Sequence, residues 1–103
     1  MKIIEKLSDM MEEEMADAEK YIECALKWKD KGDIVLSKTF YDLSMDELKH
    51  ASMLHDNSTR LITEYKTKGE IVPPEMEAVY NYLHEKHIER FNNIKLMQST
   101  YRA

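Results

Sequence analysis

The sequence is short of everything that breaks a helix. Among 103 residues there are 2 glycines and 2 prolines. Sharp turns are therefore few, and a sandwich or barrel of many short strands is excluded. No segment alternates apolar and polar residues over the length of a strand. The one cysteine, Cys24, excludes an internal disulfide and a cysteine-ligated zinc or iron module, and it suits a reducing compartment. No apolar run approaches the ~20 residues needed to cross a bilayer, and no signal-peptide-like segment is legible near the start. The expectation is a cytoplasmic chain with no membrane partner. Lys and Arg number 15 against 20 Asp and Glu, a formal charge of −5. With no basic cluster set against that balance, nucleic acid is not an expected partner.

What is abundant is Glu, Lys, Leu, Met and Ala, the residues of long helices. The pattern predicts one all-α domain over residues 1–103 with three helices, at about 3–29, 34–66 and 74–99. Gly32 supplies the left-handed conformation that ends the first helix, and Asp33 is a good N-cap for the second. So short a turn makes the first two helices antiparallel neighbours. Thr67-Lys68-Gly69 ends the second helix. Pro74 suits the first turn of the third, with Glu75 and Glu77 near its positive end. A fourth helix is not legible. A chain of this size buries a limited core, so partner subunits are expected.

Two acids interrupt the apolar stripes. At helical spacing Leu36, Phe40, Leu43, Glu47, His50, Ala51, Leu54 and Leu61 fall on one face of the second helix. Glu47 stands where Leu or Ile belongs, and His50 follows three residues later on the same side, so both side chains can reach one ion. In the first helix Glu14 lies among Leu7, Met11, Ala18, Tyr21 and Ala25. A carboxylate in a core position costs several kcal/mol unless a counter-charge or metal meets it. An antiparallel hairpin turning near Gly32 brings Glu14 and Glu47 to similar heights, facing one interior. The third helix carries Met76, Val79, Tyr80, Leu83, His87, Phe91, Ile94 and Met97 on its apolar face, with no carboxylate squarely among them.

Other residues have plainer readings. His87 reads as a packed or interface histidine, Asp17 as a solvated acid, Trp28 as a packing residue, and His55 and His84 as exposed. The eight methionines read as core filler. Cys24 reads as a small buried hydrophobe with no base beside it.

Glu14, Tyr21 seven residues on, Gly32 at the turn and then Glu47-Leu48-Lys49-His50 resemble the first helical pair of the rubrerythrin branch of the ferritin-like superfamily, over roughly residues 7–62. That family carries a second helical pair with another Glu and another Glu-x-x-His. The third helix here matches neither, and no rubredoxin-like cysteine set accompanies Cys24. What the sequence carries is half of a di-iron site.

The resemblance implies that a two-fold dimer supplies the other half. Two hairpins would form a four-helix bundle holding two Glu14, two Glu47 and two His50, as in encapsulated ferritins. Four carboxylates would balance two divalent cations. Glu14, Glu47 and His50 are the implied metal ligands. Tyr21 is either a tyrosine that orients a ligand carboxylate or core packing. The implied cofactor is dinuclear iron, with manganese or zinc as alternative occupants. The implied chemistry is oxidation of Fe²⁺ by oxygen or peroxide. Peroxide reduction ranks behind it because no electron-donor domain is legible. The implied assembly is a homodimer or a ring of dimers. An encapsulating shell fits the resemblance, although no docking tail is legible after the third helix. An expectation of another kind stands beside this one: a metal-free helical interaction protein that keeps the ferritin-like packing.

Overall fold

A computed structural model describes residues 2–102. Its described residues form three helices and no strand: α1 (Lys2–Asp30), α2 (Ile34–Thr67) and α3 (Pro74–Ser99). The Cα envelope is 57 Å long and 18 by 17 Å across, so the helices lie side by side. No helix among the described residues is long and apolar enough to cross a membrane.

The breaks fall where the chemistry of the turns puts them. Gly32 has φ +86° and Gly69 φ +76°, the left-handed region that costs glycine nothing. Asp33 caps α2, its Oδ1 accepting from the Leu36 N–H at 3.0 Å. Pro74 opens α3 behind Pro73, with Glu75 and Glu77 in the first turn.

Small residues let α1 and α2 approach closely. Ala18, Ala25, Ser37 and Ser44 are fully buried. Ser44 Oγ donates to the Ala18 carbonyl and Ser37 Oγ to the Ala25 carbonyl, each at 2.7 Å. A step of seven residues is about two helical turns, so the two staples repeat at matching heights on both helices. Each hydroxyl finds a carbonyl that already serves the helix ladder, so its burial leaves no orphaned polar atom. Met11, Met15, Leu48, Ala51 and Ile94 continue the core along the bundle.

α3 lies across one face of this hairpin and packs mainly through its C-terminal half. Ile94 is fully buried. Gln98 Nε2 donates to Ser44 Oγ at 3.0 Å, and the Tyr101 hydroxyl lies 3.0 Å from Ser37 Oγ. The N-terminal half of α3 departs from expectation. Met76 and Val79, read as members of its apolar face, are 40% and 58% exposed.

The buried line of α2 is also displaced from the expected stripe. It runs through Ser37, Ser44, Leu48, Ala51, Ser58 and Ile62. Phe40, Leu43, Glu47, Leu54 and Leu61 flank that line half-buried, and His50 is exposed. On α1 the buried line includes Met11, Met15, Ala18, Ile22 and Ala25, with Leu7, Glu14 and Tyr21 half-buried beside it. Methionine is divided: Met11 and Met15 fill the core, while Met10, Met45, Met53 and Met76 are exposed rather than packed.

Candidate metal centre

Glu14 comes from the middle of α1, Glu47 and His50 from the middle of α2. The antiparallel register set by the Ser37 and Ser44 staples brings them level. His50 Nδ1 lies 3.6 Å from Glu14 Oε2 and 3.8 Å from Glu47 Oε2. One ligand atom from each residue falls within 4.8 Å of the others. The spacing of Glu47 and His50 keeps both on one side of α2, since residues three apart are neighbours on a helix surface.

The cluster sits at a rim rather than in an enclosed interior. The side chains of Glu14 and Glu47 retain 29% and 21% of their exposure, and that of His50 retains 52%. This corrects the expectation that all three face the inside of the hairpin. The cluster also lies across the hairpin from α3. At about 100° per residue, Glu14 points roughly 160° away from Glu12, whose Oε1 meets His87 of α3 at 3.3 Å. By the same count His50 lies about 140° around α2 from His55, which touches His84 of α3.

The electrostatics are those of two carboxylates crowded beside one imidazole. Glu14 Oε2 is buried and has no hydrogen-bond partner. A desolvated carboxylate oxygen left in that state is costly, and a cation relieves the cost. Glu47 is held above the ordinary carboxylate value. Its close approach to the Glu14 carboxyl is the largest cause, followed by burial and the charge of Glu14, while His50 pulls the other way. Two carboxylates forced together in this manner shed their repulsion by taking a proton or a metal. The oxygen-rich set with one imidazole fits iron, manganese or zinc, and three ligands leave coordination positions open.

The remaining sequence candidates are spread elsewhere. Tyr21 stacks on Phe40 with ring centroids 6.2 Å apart; among the described residues no hydrogen bond ties it to the cluster. Asp17 is exposed. His87 is 7% exposed and bonds Ser8 Oγ at 3.4 Å and Glu12 Oε1 at 3.3 Å, as a packed histidine should. Trp28 is half-buried, with the ammoniums of Lys27 and Lys31 5.9 and 5.8 Å from its ring. Cys24 is half-buried rather than fully enclosed.

His55 and His84 correct a further expectation. They are half-buried, not exposed, and pack on each other with ring centroids 4.9 Å apart. Position alone points to His55: it stands seven residues from both Leu48 and Ile62, on the buried line of α2. No family model, curated protein or solved structure matches the chain.

Proposed function

We propose that the chain is a ferritin-like di-iron carboxylate protein whose metal site is completed between two copies, and that it oxidises Fe²⁺ with oxygen or peroxide. The observation that carries this proposal is the buried, unpartnered Glu14 Oε2 facing Glu47 and His50. A buried carboxylate oxygen without a partner is costly, and a cation held among Glu14, Glu47 and His50 would relieve that cost.

The case for a second copy rests on where the cluster lies. Leu7, Tyr21, Phe40, Leu43 and Leu54 are half-buried, and helical phase puts them above and below it on the side of the hairpin that α3 leaves open. A two-fold axis through this face would set each Glu14–Glu47–His50 trio against its copy. The result has the donor inventory of a di-iron carboxylate centre, with one Glu from each of two helices and a Glu-x-x-His from each of the other two. It would also cover the residual exposure of all three ligands. Larger assemblies would be built from such dimers. The lone Cys24 accords with a cytoplasmic setting.

In this role iron is the substrate. Two Fe²⁺ give one electron each to peroxide, which with two protons leaves as two waters. Glu14 and Glu47 hold the cations by charge, and the fit improves as Fe²⁺ becomes Fe³⁺. His50 supplies the neutral donor, and its exposure leaves the site open to the oxidant.

The test is iron content and solution mass measured on the same sample. About one iron per chain in a particle of two chains, or a multiple of two, is expected. Iron-free protein whose melting temperature is unmoved by Fe²⁺ or Mn²⁺ would replace this function with the metal-free interaction protein.

A further inference from the structure

A second cluster lies on the opposite side of the hairpin, and the metal centre above makes no use of it. The first turns of α1, the last turns of α2 and the N-terminal half of α3 enclose an open groove of about 270 Å³. Its walls include Ile4, Met11, Ile62 and Leu83, and into it project His55 from α2 and His84 from α3.

Their approach is specific. His55 Nε2 and His84 Nδ1 are 3.3 Å apart. Two nitrogens bound to one tetrahedral zinc at 2.0–2.1 Å stand ~3.3 Å from each other. On the other side of the His55 ring, Nδ1 faces Asp56 Oδ1 at 3.7 Å, beyond direct hydrogen-bond distance. Tyr80 stacks on His84 at 5.8 Å and restrains that ring. His87, one turn further along α3, is committed to Ser8 and Glu12 and is left out of the set.

We propose that His55 Nε2 and His84 Nδ1 form a second metal site, for a zinc-like divalent ion, that clamps α3 onto α2. The ligand set is neutral and made of imidazole, which selects late first-row ions over iron. The remaining coordination positions face the groove and take water. The metal would fasten the part of α3 that packs least well, the stretch holding the exposed Met76 and Val79. Without metal the two rings share a single N–H···N bond. The site owes nothing to the di-iron proposal and stands or falls separately.

The experiment uses full-length protein carrying Glu47→Ala and His50→Ala, so that the first cluster cannot hold zinc. Zinc titration by calorimetry should show one site per chain, and zinc should raise the melting temperature. Adding His84→Gln, or separately His55→Gln, should weaken binding by roughly tenfold or more, since each removes one of two protein ligands. Histidine-ring NMR of the parent double variant reads the geometry directly and needs no further substitution. Zinc should shift Nε2 of His55 and Nδ1 of His84, leaving their opposite nitrogens protonated. Zinc that does not bind, or binds without moving those two nitrogens, overturns the site. Undiminished binding in both glutamine variants overturns it equally.

Discussion

Glu14 and Glu47 are drawn from helices that run in opposite directions, yet their carboxylates converge on the same nitrogen, His50 Nδ1, at 3.6 and 3.8 Å. In a chain without metal this convergence is a liability. Glu47 is held above the ordinary value of 4.5, first by its contact with Glu14 and then by burial. A raised acid binds its proton more tightly folded than unfolded. The stability it lends is present below 4.5 and lost as pH rises through the folded value, so at neutral pH the ionised Glu47 opposes folding. Glu47→Gln should therefore leave the metal-free melting temperature equal or higher at pH 7.5. It should also abolish the rise that Fe²⁺ or Mn²⁺ produces in the unsubstituted protein. Calorimetric scans with and without metal check both halves. A variant that melts lower without metal and still gains from Fe²⁺ would mean that Glu47 is an ordinary surface acid.

Tyr21 separates packing from metal chemistry. Its ring stacks on Phe40, and among the described residues no hydrogen bond joins it to the cluster. Tyr21→Phe should change Mn²⁺ affinity by less than about twofold, while Tyr21→Ala should cost about 1–2 kcal/mol of stability through the lost aromatic pair and burial. Urea unfolding and metal titration of the two variants give the answer. A tenfold affinity loss in Tyr21→Phe would restore the hydroxyl to a role on a ligand carboxylate in the assembled protein.

Ser44 tests what holds the hairpin in register. Its hydroxyl donates to the Ala18 carbonyl and accepts from Gln98 Nε2, and it is fully buried. Ser44→Ala strands the Gln98 amide, itself 6% exposed, at a cost of about 1–3 kcal/mol. Ser44→Leu has no room between the backbones and should cost more, because overpacking forces the helices apart. The midpoint of urea unfolding should fall in that order.

The same serine explains which parts of the molecule were legible in the sequence. The three helices, their ends and the Glu14–Glu47–His50 grouping follow from period, caps and spacing. The phase of α2 does not. Ser37, Ser44 and Ser58 occupy its buried line, and the hydroxyls of Ser37 and Ser44 find carbonyls across the interface, so a polar residue type conceals a core position. The apolar signal therefore points to the flank holding Phe40, Leu43 and Leu54, which is half-buried in a single chain. His55 was hidden for a similar reason. A histidine reads as surface until a partner, here His84 on another helix, is in view. The exposure of the N-terminal half of α3 had no local signal, since Met76 and Val79 fit an apolar stripe whether or not anything covers them.

His84 gives the α2–α3 contact a pH dependence in chelated protein. It sits below the ordinary 6.5, first through burial and then through the charges of His55 and His87, with Glu85 pulling the other way. A histidine depressed in the folded state is protonated more readily when unfolded. The stability tied to its neutral form is complete above about 6.5 and is lost as pH falls from there through the folded value. Between pH 7.5 and 5.5 the melting temperature in EDTA should fall more steeply for the unsubstituted protein than for His84→Gln. Parallel curves would place the pH dependence elsewhere, with the Glu12–His87 contact the next group to test.

Leu43 tests whether the proposed metal centre belongs to one chain or to two. It lies half-buried one turn before Glu47, and by helical phase it stands on the face that α3 leaves open. Leu43→Arg puts a charge where a two-fold neighbour would press its own copy of the residue, and two like charges brought together in an apolar contact split it. If the centre is shared, the variant should sediment as a monomer with unchanged helical content. It should lose tight iron binding although Glu14, Glu47 and His50 are intact, because each trio then faces water in place of its twin. If the centre is contained within one hairpin, the variant keeps its iron whatever its mass. Helix content by circular dichroism, mass by sedimentation and iron by elemental analysis, all on one preparation, separate the two cases. A monomeric, helical and iron-loaded Leu43→Arg would end the shared-site proposal while leaving the cluster itself a metal site.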